Sequence, residues 1–492
     1  MNAPVKNEAY APEFSSVISV PFGHTSTHPD FEYRKAQLSE LPFLAELTNL
    51  LDDDIEVFVA RDSAGFRRTD ADGAFMMLGR SGGHEVAVIW HDFRIAGGSY
   101  GKRLSERMKA FLEQCDAAGL PLVAKISSVG VRFMEGRTVF DNAFSLVPAL
   151  LTYREHNLVI TVAHGQTVGL GALAFRLGHY RIAVEEKTFV SLTGPQVCEL
   201  TFGKDSGFEE MACTATEFEK SDTISETIPE LDGAMARAKV ILAASYGDPE
   251  AGVPVACDDD QTREFMRGVC DRVLEIYPGR DDRLRVFIAW CGDRQFGIFA
   301  NPVENVQNMV RVRTLDLFED ALALFEHLGL PLLSLVDTPG ADPRADDENR
   351  RIITRLVEVG GKIINYPHAR IGIVAGRAYG GASILGFPKV FGGLRSYALN
   401  TARVGIMHAG IIGALLNGSP RLQKQWAQVS KSQRVDMQDM IDAGALDAVI
   451  SPEEMRGIVE RELLDAHDAA VRDDWEAAVP AGASAALVLQ QH

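Results

Sequence analysis

The sequence predicts an α/β fold that occurs twice in tandem. Three landmarks recur in the same order: residues 119–122 as 329–332, residues 162–171 as 374–382, and residues 192–195 as 407–410. The offset is 210 residues between Gly119 and Gly329 and 211 residues between Gly165 and Gly376. Repetition at a fixed offset is typical of a duplicated structural unit. A duplicated fold also suggests a site that needs two matching halves.

The elements of the first copy follow from their hydrophobic patterns. Residues 85–90 form an apolar β-type run. A helix is predicted from Lys102, because apolar side chains recur at helical spacing at Leu104, Met108, Leu112 and Cys115. Gly119 is placed to end this helix, and a new strand is expected from Pro121.

The second copy repeats the pattern. Residues 296–300 are predicted to form a strand, and a helix is predicted to end at Gly329. Its apolar face contains Leu315, Phe318, Leu322 and Phe325. Alternation of strand, helix and strand indicates largely buried parallel strands in both copies.

These patterns give a domain organisation. We expect an arm over residues 1–35, a first domain over 36–245, a linker over 246–285, a second domain over 286–480 and a tail over 481–492. Shorter helices are expected at 38–51 and, within the linker, at 261–277. Ser451 and Glu454 flank Pro452 as a capping box that opens a helix ending near Leu464.

Composition excludes several classes of function. The net charge of −19 disfavours a nucleic acid partner, which calls for clustered lysine and arginine. No apolar stretch approaches the roughly 20 residues that span a bilayer, and the N-terminus lacks signal-peptide features. We therefore expect a cytoplasmic location and no membrane partner. The six cysteines are widely spaced, so neither a structural zinc site nor a disulfide framework is expected, and we predict no bound metal.

Two glycine-rich segments are candidate functional turns. Gly169-Leu170-Gly171 and Gly380-Gly381-Ala382 each follow an apolar strand and precede a predicted helix of small residues. Small residues at such a turn let backbone N–H groups approach a ligand oxygen, as in an oxyanion hole. The alternative is tight packing of helix on sheet. Two equivalent turns in a duplicated chain favour the functional interpretation.

Other motifs have competing interpretations. Gly97-Gly98-Ser99-Tyr100-Gly101 matches the nucleophile elbow of hydrolases, with His368 or His408 as the base, but that leaves the duplication unexplained. Residues 337–340 (Asp-Thr-Pro-Gly) mimic a GTPase switch without a phosphate-binding loop, and are better explained as a turn at a strand end. His164, Arg132 and Arg377 could serve a site or only pack and form ion pairs.

At these landmarks the chain resembles the carboxyltransferase subunits of biotin-dependent acyl-CoA carboxylases, over roughly residues 85–465. The most specific match is residues 330–340, then Glu348, then residues 377–382. In the first half the same family pattern is matched by Asp92, residues 97–99, Arg132, residues 135–136 and residues 192–195. The resemblance implies two tandem crotonase (ClpP-like) domains of the ββα superhelix type.

The resemblance also implies roles for the two halves. The first would bind the acyl-CoA, with the Gly169 and Leu170 N–H groups on the thioester enolate oxygen. The second would bind carboxybiotin, with the Gly381 and Ala382 N–H groups on its ureido carbonyl oxygen. Further substrate contacts are implied at Arg132, Gly165, Gly171, Gly194, Pro195, Tyr379, Gly380 and Ile384. Carboxybiotin would release CO2, its ureido nitrogen would remove the α-proton, and the enolate would capture the CO2.

The implied partners follow from what the sequence lacks. It has no biotinylation motif and no ATP-binding carboxylase domain, so a biotin carboxylase and a separate biotin carboxyl carrier protein are expected as partners. In the family the site lies between the first half of one subunit and the second half of another. A homo-oligomer is therefore expected, at least a dimer, with the hexamer as the family's usual assembly.

Three departures from the family pattern stand out. Residues 127–132 (Ser-Ser-Val-Gly-Val-Arg) replace Asp-Ser-Gly-Gly-Ala-Arg, and Arg344 replaces a glycine. Leu170 also replaces a glycine, and the leucine side chain is expected to crowd the thioester. The second half thus keeps the pattern better than the first. Two alternatives remain open: a decarboxylase or transcarboxylase of malonyl-type thioesters, and a non-catalytic scaffold subunit.

Overall fold

Each half of the chain forms a compact unit around its own β-sheet. The computed structural model divides between Ala251 and Gly252. It describes residues 28–61, 72–185, 188–204, 207–255, 261–303, 305, 307–416, 419–425 and 437–470.

The first unit contains a nine-stranded sheet. Its strands are β1 (Phe31–Gln37), β2 (Asp54–Ala60), β3 (Ala74–Ser81), β4 (His84–His91), β5 (Leu122–Ser128), β6 (Val159–Val168), β7 (Tyr180–Val184), β8 (Phe189–Ser191) and β9 (Glu226–Ile228). The spatial order is β1-β2-β3-β4-β5-β6-β7-β9, with β8 paired to the far end of β6. Strands β1 to β4 are antiparallel, and β4 to β9 run parallel.

The second unit repeats this sheet. Its strands are β10 (Val253–Pro254), β11 (Arg272–Ile276), β12 (Arg285–Cys291), β13 (Arg294–Ala300), β14 (Leu332–Thr338), β15 (Arg370–Tyr379), β16 (Arg395–Leu399), β17 (Arg403–Gly405) and β18 (Ala448–Ile450). The order is β10-β11-β12-β13-β14-β15-β16-β18, with β17 paired to β15. The first four strands are antiparallel and the remainder parallel.

Helices connect the parallel strands in both units. The α-helices of the first unit are Lys102–Ala117, Arg137–Phe144, Leu146–His156, Leu170–Arg176, Pro195–Phe202, Phe208–Ala212, Thr214–Lys220 and Leu231–Ser245. Those described in the second unit include Gln261–Met266, Val312–His327, Ala345–Asn349, Ile352–Asn365, Ala409–Leu415, Met437–Asp442 and Met455–Ile458. A 3-10 helix at Gly380–Gly386 takes the place of the helix Leu170–Arg176.

The predicted duplication is confirmed by details finer than strand order. A parallel bridge joins Tyr100 to Val131 in the first unit, and its counterpart joins Val310 to Ala341 in the second. Both predicted helices at Lys102–Ala117 and Val312–His327 are present, each followed by a glycine with positive φ, at 65° and 68°. Such a glycine ends a helix without steric cost.

The predicted hydrophobic faces form the cores. Leu104, Met108, Leu112 and Cys115 of the first helix are buried against its sheet. In the second unit the rings of Phe299 and Phe318 stack with centroids 4.0 Å apart. The spacing that predicted the helices is therefore the spacing that packs them.

Several expected boundaries differ from the structure. The helix expected over 261–277 ends at Met266, and β11 follows. Because β10 pairs with β11 and β11 with β12, residues 253–254 and 272–276 of the segment 246–285 belong to the second sheet, so the segment is not a free linker. The expected arm contributes residues 31–35 to β1, while residues 1–27 and the tail 481–492 lie outside the described residues. Residues 38–51 form 3-10 turns at Leu38–Glu40 and Pro42–Asn49.

The C-terminal capping box is confirmed. The Ser451 N–H donates to Glu454 Oε2 at 2.7 Å, and the helical segment that follows extends through Leu464.

Within the described ranges, no helix combines the length and the apolar character needed to cross a bilayer.

Glu56 on β2 is a buried carboxylate at odds with its surroundings. Its side chain is 1% exposed, and neither carboxylate oxygen accepts a hydrogen bond from the described residues. Burial raises the pKa of Glu56 to about 7, and Glu85 adds to the rise while Lys35 opposes it. A raised pKa means that the folded state favours the protonated form, so the charged form costs stability.

We predict that Glu56→Gln stabilises the protein at alkaline pH. The cost of the charge is absent below pH 4.5, grows as the pH rises towards about 7 and is complete above it. At pH 8 the variant should unfold at a higher temperature than the wild type. The expected gain in the free energy of unfolding is on the order of 3 kcal/mol. At pH 4.5 the difference should vanish. Calorimetry at both pH values measures this, with Glu113→Gln on an exposed helix position as the control. An equal effect of Glu56→Gln at both pH values would contradict the assignment.

Candidate functional site

The two central parallel strands of each sheet lose their register near their ends. In the first unit Ile126 pairs with Ala163, and the next pair is Ser128 with Thr167. In the second unit Val336 pairs with Val374, and the next pair is Thr338 with Ala378. Bulges of this kind occur beside functional sites because they redirect side chains and end the pairing.

A glycine is required at each bulge. A Cβ on Gly376 would lie 2.5 Å from Asp337 Oδ1, and a Cβ on Gly165 would lie 3.3 Å from Ser127 Oγ. The Gly165 N–H donates to Thr188 Oγ1 at 3.1 Å. The predicted substrate residue Gly165 is therefore positioned by packing and hydrogen bonding within the first unit.

The candidate turns follow directly and are equivalent in the two units. Gly169 has φ 59° and Gly380 has φ 62°, a left-handed conformation that glycine adopts readily. Each is placed directly after the last residue of its strand, β6 or β15. This equivalence matches Leu170 with Gly381 and Gly171 with Ala382.

The hydrogen bonds of the first turn shift its available donors by one residue. The Gly169 N–H donates to the Ser191 carbonyl oxygen at 3.0 Å. It is thus committed within the fold, although it was expected to serve the substrate oxygen. The N–H groups of Leu170 and Gly171 lie in the first turn of the following helix, where no helical carbonyl can accept them. These two groups occupy the positions equivalent to the Gly381 and Ala382 N–H groups.

The Leu170 side chain does not crowd the turn as expected. It is 3% exposed and belongs to the hydrophobic core of the first unit. The departure from the family glycine is accommodated by packing inward. At the equivalent Gly381, a Cβ would meet no atom within 4 Å, so the second turn is open on this side. Ala382 is buried, and its methyl group packs into the unit.

Other predicted residues lie around the two turns. A Cβ on Gly194 would lie 3.7 Å from Val168, and Pro195 begins the adjoining helix. In the second unit the rings of Tyr379 and His408 meet edge to face, with centroids 6.2 Å apart. Ile384 Cδ1 lies near Gly360 of the helix Ile352–Asn365, where a Cβ would be 3.5 Å away. Each unit thus gathers its predicted residues except Arg132 around its own turn.

Arg132 has a structural role. Its Nη1 donates to Asp72 Oδ1 at 2.7 Å and to Glu135 Oε1 at 2.9 Å. Its Nε donates to Ser99 Oγ at 3.0 Å and Nη2 to Ser99 O at 2.9 Å. The guanidinium is therefore saturated by the loops that it ties together. The expected substrate contact at Arg132 has no donor direction left open.

The second unit contains the same tie with its charges exchanged. Asp342 occupies the position of Arg132, because the Asp342 N–H donates to Val310 O as the Arg132 N–H donates to Tyr100 O. Arg283 Nη1 donates to Asp342 Oδ2 at 3.2 Å. Arg344 also binds this carboxylate, and its hydrogen bonds hold the pKa of Asp342 below the usual range. The unexpected Arg344 thus belongs to a loop ion pair.

The hydrolase interpretation of Gly97-Gly98-Ser99-Tyr100-Gly101 is not supported. Ser99 is buried, and its Oγ donates to Ala96 O at 2.6 Å while it accepts from Arg132. A Cβ on Gly101 would lie 2.5 Å from Arg132 Nη1. The glycine and serine of this motif therefore make room for the arginine tie.

A cleft that was not predicted from the sequence lies beside the first turn. It encloses about 610 Å³ and is lined by Gln166, Phe189, Pro195, Glu199, Lys204, Gly207, Phe208, Glu209 and Glu210. Only Pro195 was singled out in advance. Gln166 lies in the repeated landmark 162–171, and the other lining residues lie in segments that carry no motif.

In the second unit, Asp337 and Arg377 form a pair at the bulge. Arg377 Nε donates to Asp337 Oδ1 at 2.7 Å, Nη2 donates to Oδ2 at 3.0 Å, and the Arg377 N–H donates to Oδ1 at 2.7 Å. These bonds raise the pKa of Arg377 further, so it stays a cation. The equivalent residues of the first unit, Ser127 and Gln166, are uncharged.

The chain is similar to known proteins over most of its length. It is 25% identical over 452 residues to the biotin-dependent acetyl-/propionyl-coenzyme A carboxylase beta5 subunit of Mycobacterium tuberculosis (strain CDC 1551 / Oshkosh), covering 80% of each chain. It is 24% identical over 365 residues to the methylmalonyl-CoA carboxyltransferase 12S subunit of Propionibacterium freudenreichii subsp. shermanii, covering 69% of each.

Solved structures share the fold. The transcarboxylase 12S crystal structure, a hexamer with methylmalonyl-coenzyme A and methylmalonic acid bound, matches with a TM-score of 0.75 at 21% identity. That match covers 86% of this chain and 89% of the other. A single-chain, multi-domain long-chain acyl-CoA carboxylase matches with a TM-score of 0.69 at 19% identity, covering 85% of this chain and 45% of the other.

The family model described as carboxyl transferase domain matches residues 49–270 and 292–476. The match runs through both sheets and through both glycine turns. Since it covers well over half of the chain, this protein belongs to the carboxyl transferase domain family.

Proposed function

We propose that this protein is a carboxyltransferase subunit that moves a carboxyl group from carboxybiotin to the α-carbon of an acyl-CoA thioester. The observation that carries the proposal is the pair of equivalent turns at Gly169 and Gly380, each followed by two backbone N–H groups at matching positions. Relatives named as acyl-coenzyme A carboxylase and methylmalonyl-CoA carboxyltransferase subunits support the choice of reaction.

In the first unit we assign the oxyanion donors to Leu170 and Gly171. Removal of the α-proton moves negative charge onto the thioester oxygen, and fixed N–H groups aimed at that oxygen lower the barrier. The Gly169 N–H is excluded because it donates to Ser191. Gly165, Gly194 and Pro195 surround the same turn and would contact the thioester.

In the second unit the donors are Gly381 and Ala382, which would hold the ureido carbonyl oxygen of biotin. The open space beside Gly381 fits a ligand approaching the backbone closely. Biotin, carried on a separate carboxyl carrier protein, would supply the carboxyl group. Tyr379, Gly380 and Ile384 would border this half-site, while Arg132 is reassigned to holding the loops of the first unit.

Assembly is the second part of the proposal. We propose a homo-oligomer in which the first unit of one subunit and the second unit of another complete a site, with biotin carboxylase and carboxyl carrier subunits as partners. The helix Ile352–Asn365 supports this, because Ile353 and Val357, one turn apart, are 69% and 72% exposed. Apolar surface of this kind marks an interface. The hexamer of transcarboxylase 12S is the assembly we expect, and the cytoplasmic location remains a prediction.

The direction of the reaction and the scaffold alternative are separated by one assay. The purified chain would be incubated with a carboxybiotin donor and a panel of acyl-CoA thioesters, then with malonyl-type thioesters and free biotin. Carboxylated thioester in the first arm supports the proposal. Product only in the second arm indicates a decarboxylase or transcarboxylase, and product in neither arm, with partners present, indicates a scaffold.

We predict that Gly381→Val reduces carboxyl transfer by about a hundred- to a thousandfold, the usual effect of losing one oxyanion donor. The branched Cβ would stand in the open space and keep the ligand oxygen from the N–H groups. Folding should be preserved, because a Cβ there meets no atom within 4 Å. Steady-state kinetics measure the loss, and titration with coenzyme A should show nearly unchanged affinity in the first unit.

Gly381→Ala serves as the graded control, with a smaller loss expected from its single methyl group. Circular dichroism verifies the fold of both variants. If Gly381→Val folds and retains wild-type turnover, the oxyanion assignment is wrong and the turn serves only to pack helix on sheet.

We predict that Val357→Glu weakens the oligomer. A charge buried in an apolar interface is destabilising, so the variant should form smaller species than the wild type at the same concentration. Light scattering coupled to gel filtration measures the mass. Val303→Glu is the matched control, since Val303 is 48% exposed and lies away from this helix in sequence. A wild-type chain that is monomeric and fully active would refute the assembly.

A further inference from the structure

Two arginines stand side by side at the edge of the second glycine turn. Arg377 on β15 is paired in register with Arg403 on β17, and the register continues through Ala378 with Val404 and Tyr379 with Gly405. A Cβ on Gly405 would lie 3.6 Å from the Tyr379 ring, so residues paired at this register present their side chains to one face. Alternation along the strands places Arg377 and Arg403, two residues earlier, on that same face.

The charges of this group do not balance. Asp337 is the carboxylate bound to Arg377, and it engages Nε and Nη2 together with the Arg377 N–H. Arg377 Nη1 has no hydrogen-bond acceptor among the described residues. Arg403 is exposed and forms no ion pair within the described part of the chain. Two arginines thus stand in register, and the one carboxylate beside them, Asp337, binds only Arg377.

Like charges directly opposite each other in a sheet are destabilising. An arrangement of this kind is stabilised when an anion binds between the cations. Guanidinium groups suit carboxylates in particular, because their planar fork can donate two parallel hydrogen bonds. Arg377 is held in a fixed orientation by Asp337, so little side-chain freedom would be lost on binding.

The first unit lacks this feature although its fold is the same. The residues in register at the equivalent place are Gln166 on β6 and Phe189 on β8. Ser127 replaces Asp337, so no formal charge is present. Gln166 and Phe189 line the cleft of about 610 Å³, so in the first unit this position faces space large enough for a ligand. The cationic pair therefore distinguishes the second half-site from the first.

We propose that Arg377 and Arg403 form a carboxylate-binding site of the second unit, and that this site holds the carboxylate of the carboxyl donor. The identity of the donor rests on the proposed function; the anion site itself does not. Arg377 precedes Gly381 by four residues, so the site lies on the strand that leads into the second turn. The two arginines would orient the carboxylate while the Gly381 and Ala382 N–H groups hold the ring oxygen.

Binding of malonate to the full-length chain tests the anion site without any need for activity. Titration calorimetry at constant ionic strength should detect malonate binding to the wild type and none of the neutral analogue malonamide. Arg403→Gln should weaken the binding by about tenfold or more, the effect of losing one charge-assisted pair. Arg350→Gln, at an exposed arginine of the same unit, is the matched control and should bind as the wild type does. Equal binding by Arg403→Gln, or none by the wild type, overturns the site.

Kinetics test the role of the site. In carboxyl transfer with the partner subunits present, Arg403→Gln should raise the KM for the carboxyl donor by about tenfold and leave the KM for the acyl-CoA unchanged. Arg403→Lys should fall between Gln and wild type, because the charge remains without the fork. An unchanged donor KM, or a change confined to acyl-CoA, overturns the assignment to the donor. If the wild type transfers no carboxyl group, the proposed function fails, and malonate binding still decides whether the anion site exists.

Discussion

The register skip between the two central parallel strands is the constraint on which each proposed half-site depends. Regular pairing would carry β6 and β15 straight to their ends with every backbone group in the ladder. The skip removes residues from the ladder and brings the side chain of Ser127 or Asp337 over the neighbouring strand. Glycine lies beneath it in both units, at Gly376 because a Cβ would clash with Asp337 and at Gly165 because φ is 78°. The polar groups beside the turns are therefore a consequence of irregular pairing within a regular sheet.

Loop ties hold these strand ends in place, and they show how the two copies diverged. In the first unit Arg132 binds Asp72, and in the second Asp342 binds Arg283. The ion pair is kept while each charge is exchanged. In both units a carboxylate a few residues beyond the tie, Glu135 or Asp347, also accepts the N–H of the first residue of the long helix that precedes it in the chain, Lys102 or Val312. What the two units share at these positions is a tie between loops, which either sign of charge can provide.

The turns themselves diverged in the opposite way, with the backbone kept and the side chains changed. Gly169 and Gly380 adopt the same left-handed conformation. Beyond them, Leu170 fills the core of its unit, whereas Gly381 leaves space open. In the first turn the backbone donors lie beside the packed side chain of Leu170. In the second turn they lie beside open space and two arginines. Two halves of one ancestry can in this way serve ligands of different shape and charge.

Much of the fold and part of the site could be predicted from the sequence. The duplication, the helices Lys102–Ala117 and Val312–His327 and the two turns follow from local rules: apolar spacing, glycine at helix ends and the recurrence of motifs. The prediction of a linker over residues 246–285 was wrong for β11. This strand is stabilised by pairing with β12, and its acidic, turn-rich surroundings do not reveal that pairing. Arg132 was expected to contact the substrate. The sequence around an arginine near a glycine turn does not reveal whether its partner is a ligand or a carboxylate of the same chain.

The sequence by itself determined the architecture, its repetition and the location of the two turns, because these depend on neighbours along the chain. Only the tertiary structure decided which N–H groups are available, since the commitment of Gly169 depends on Ser191, twenty-two residues further along. It also decided that Leu170 points inward and that Arg377 stands beside Arg403. Hydrogen bonding, burial and charge pairing between distant segments are set by how the sheet assembles. The chemistry of the proposed site would depend on those contacts.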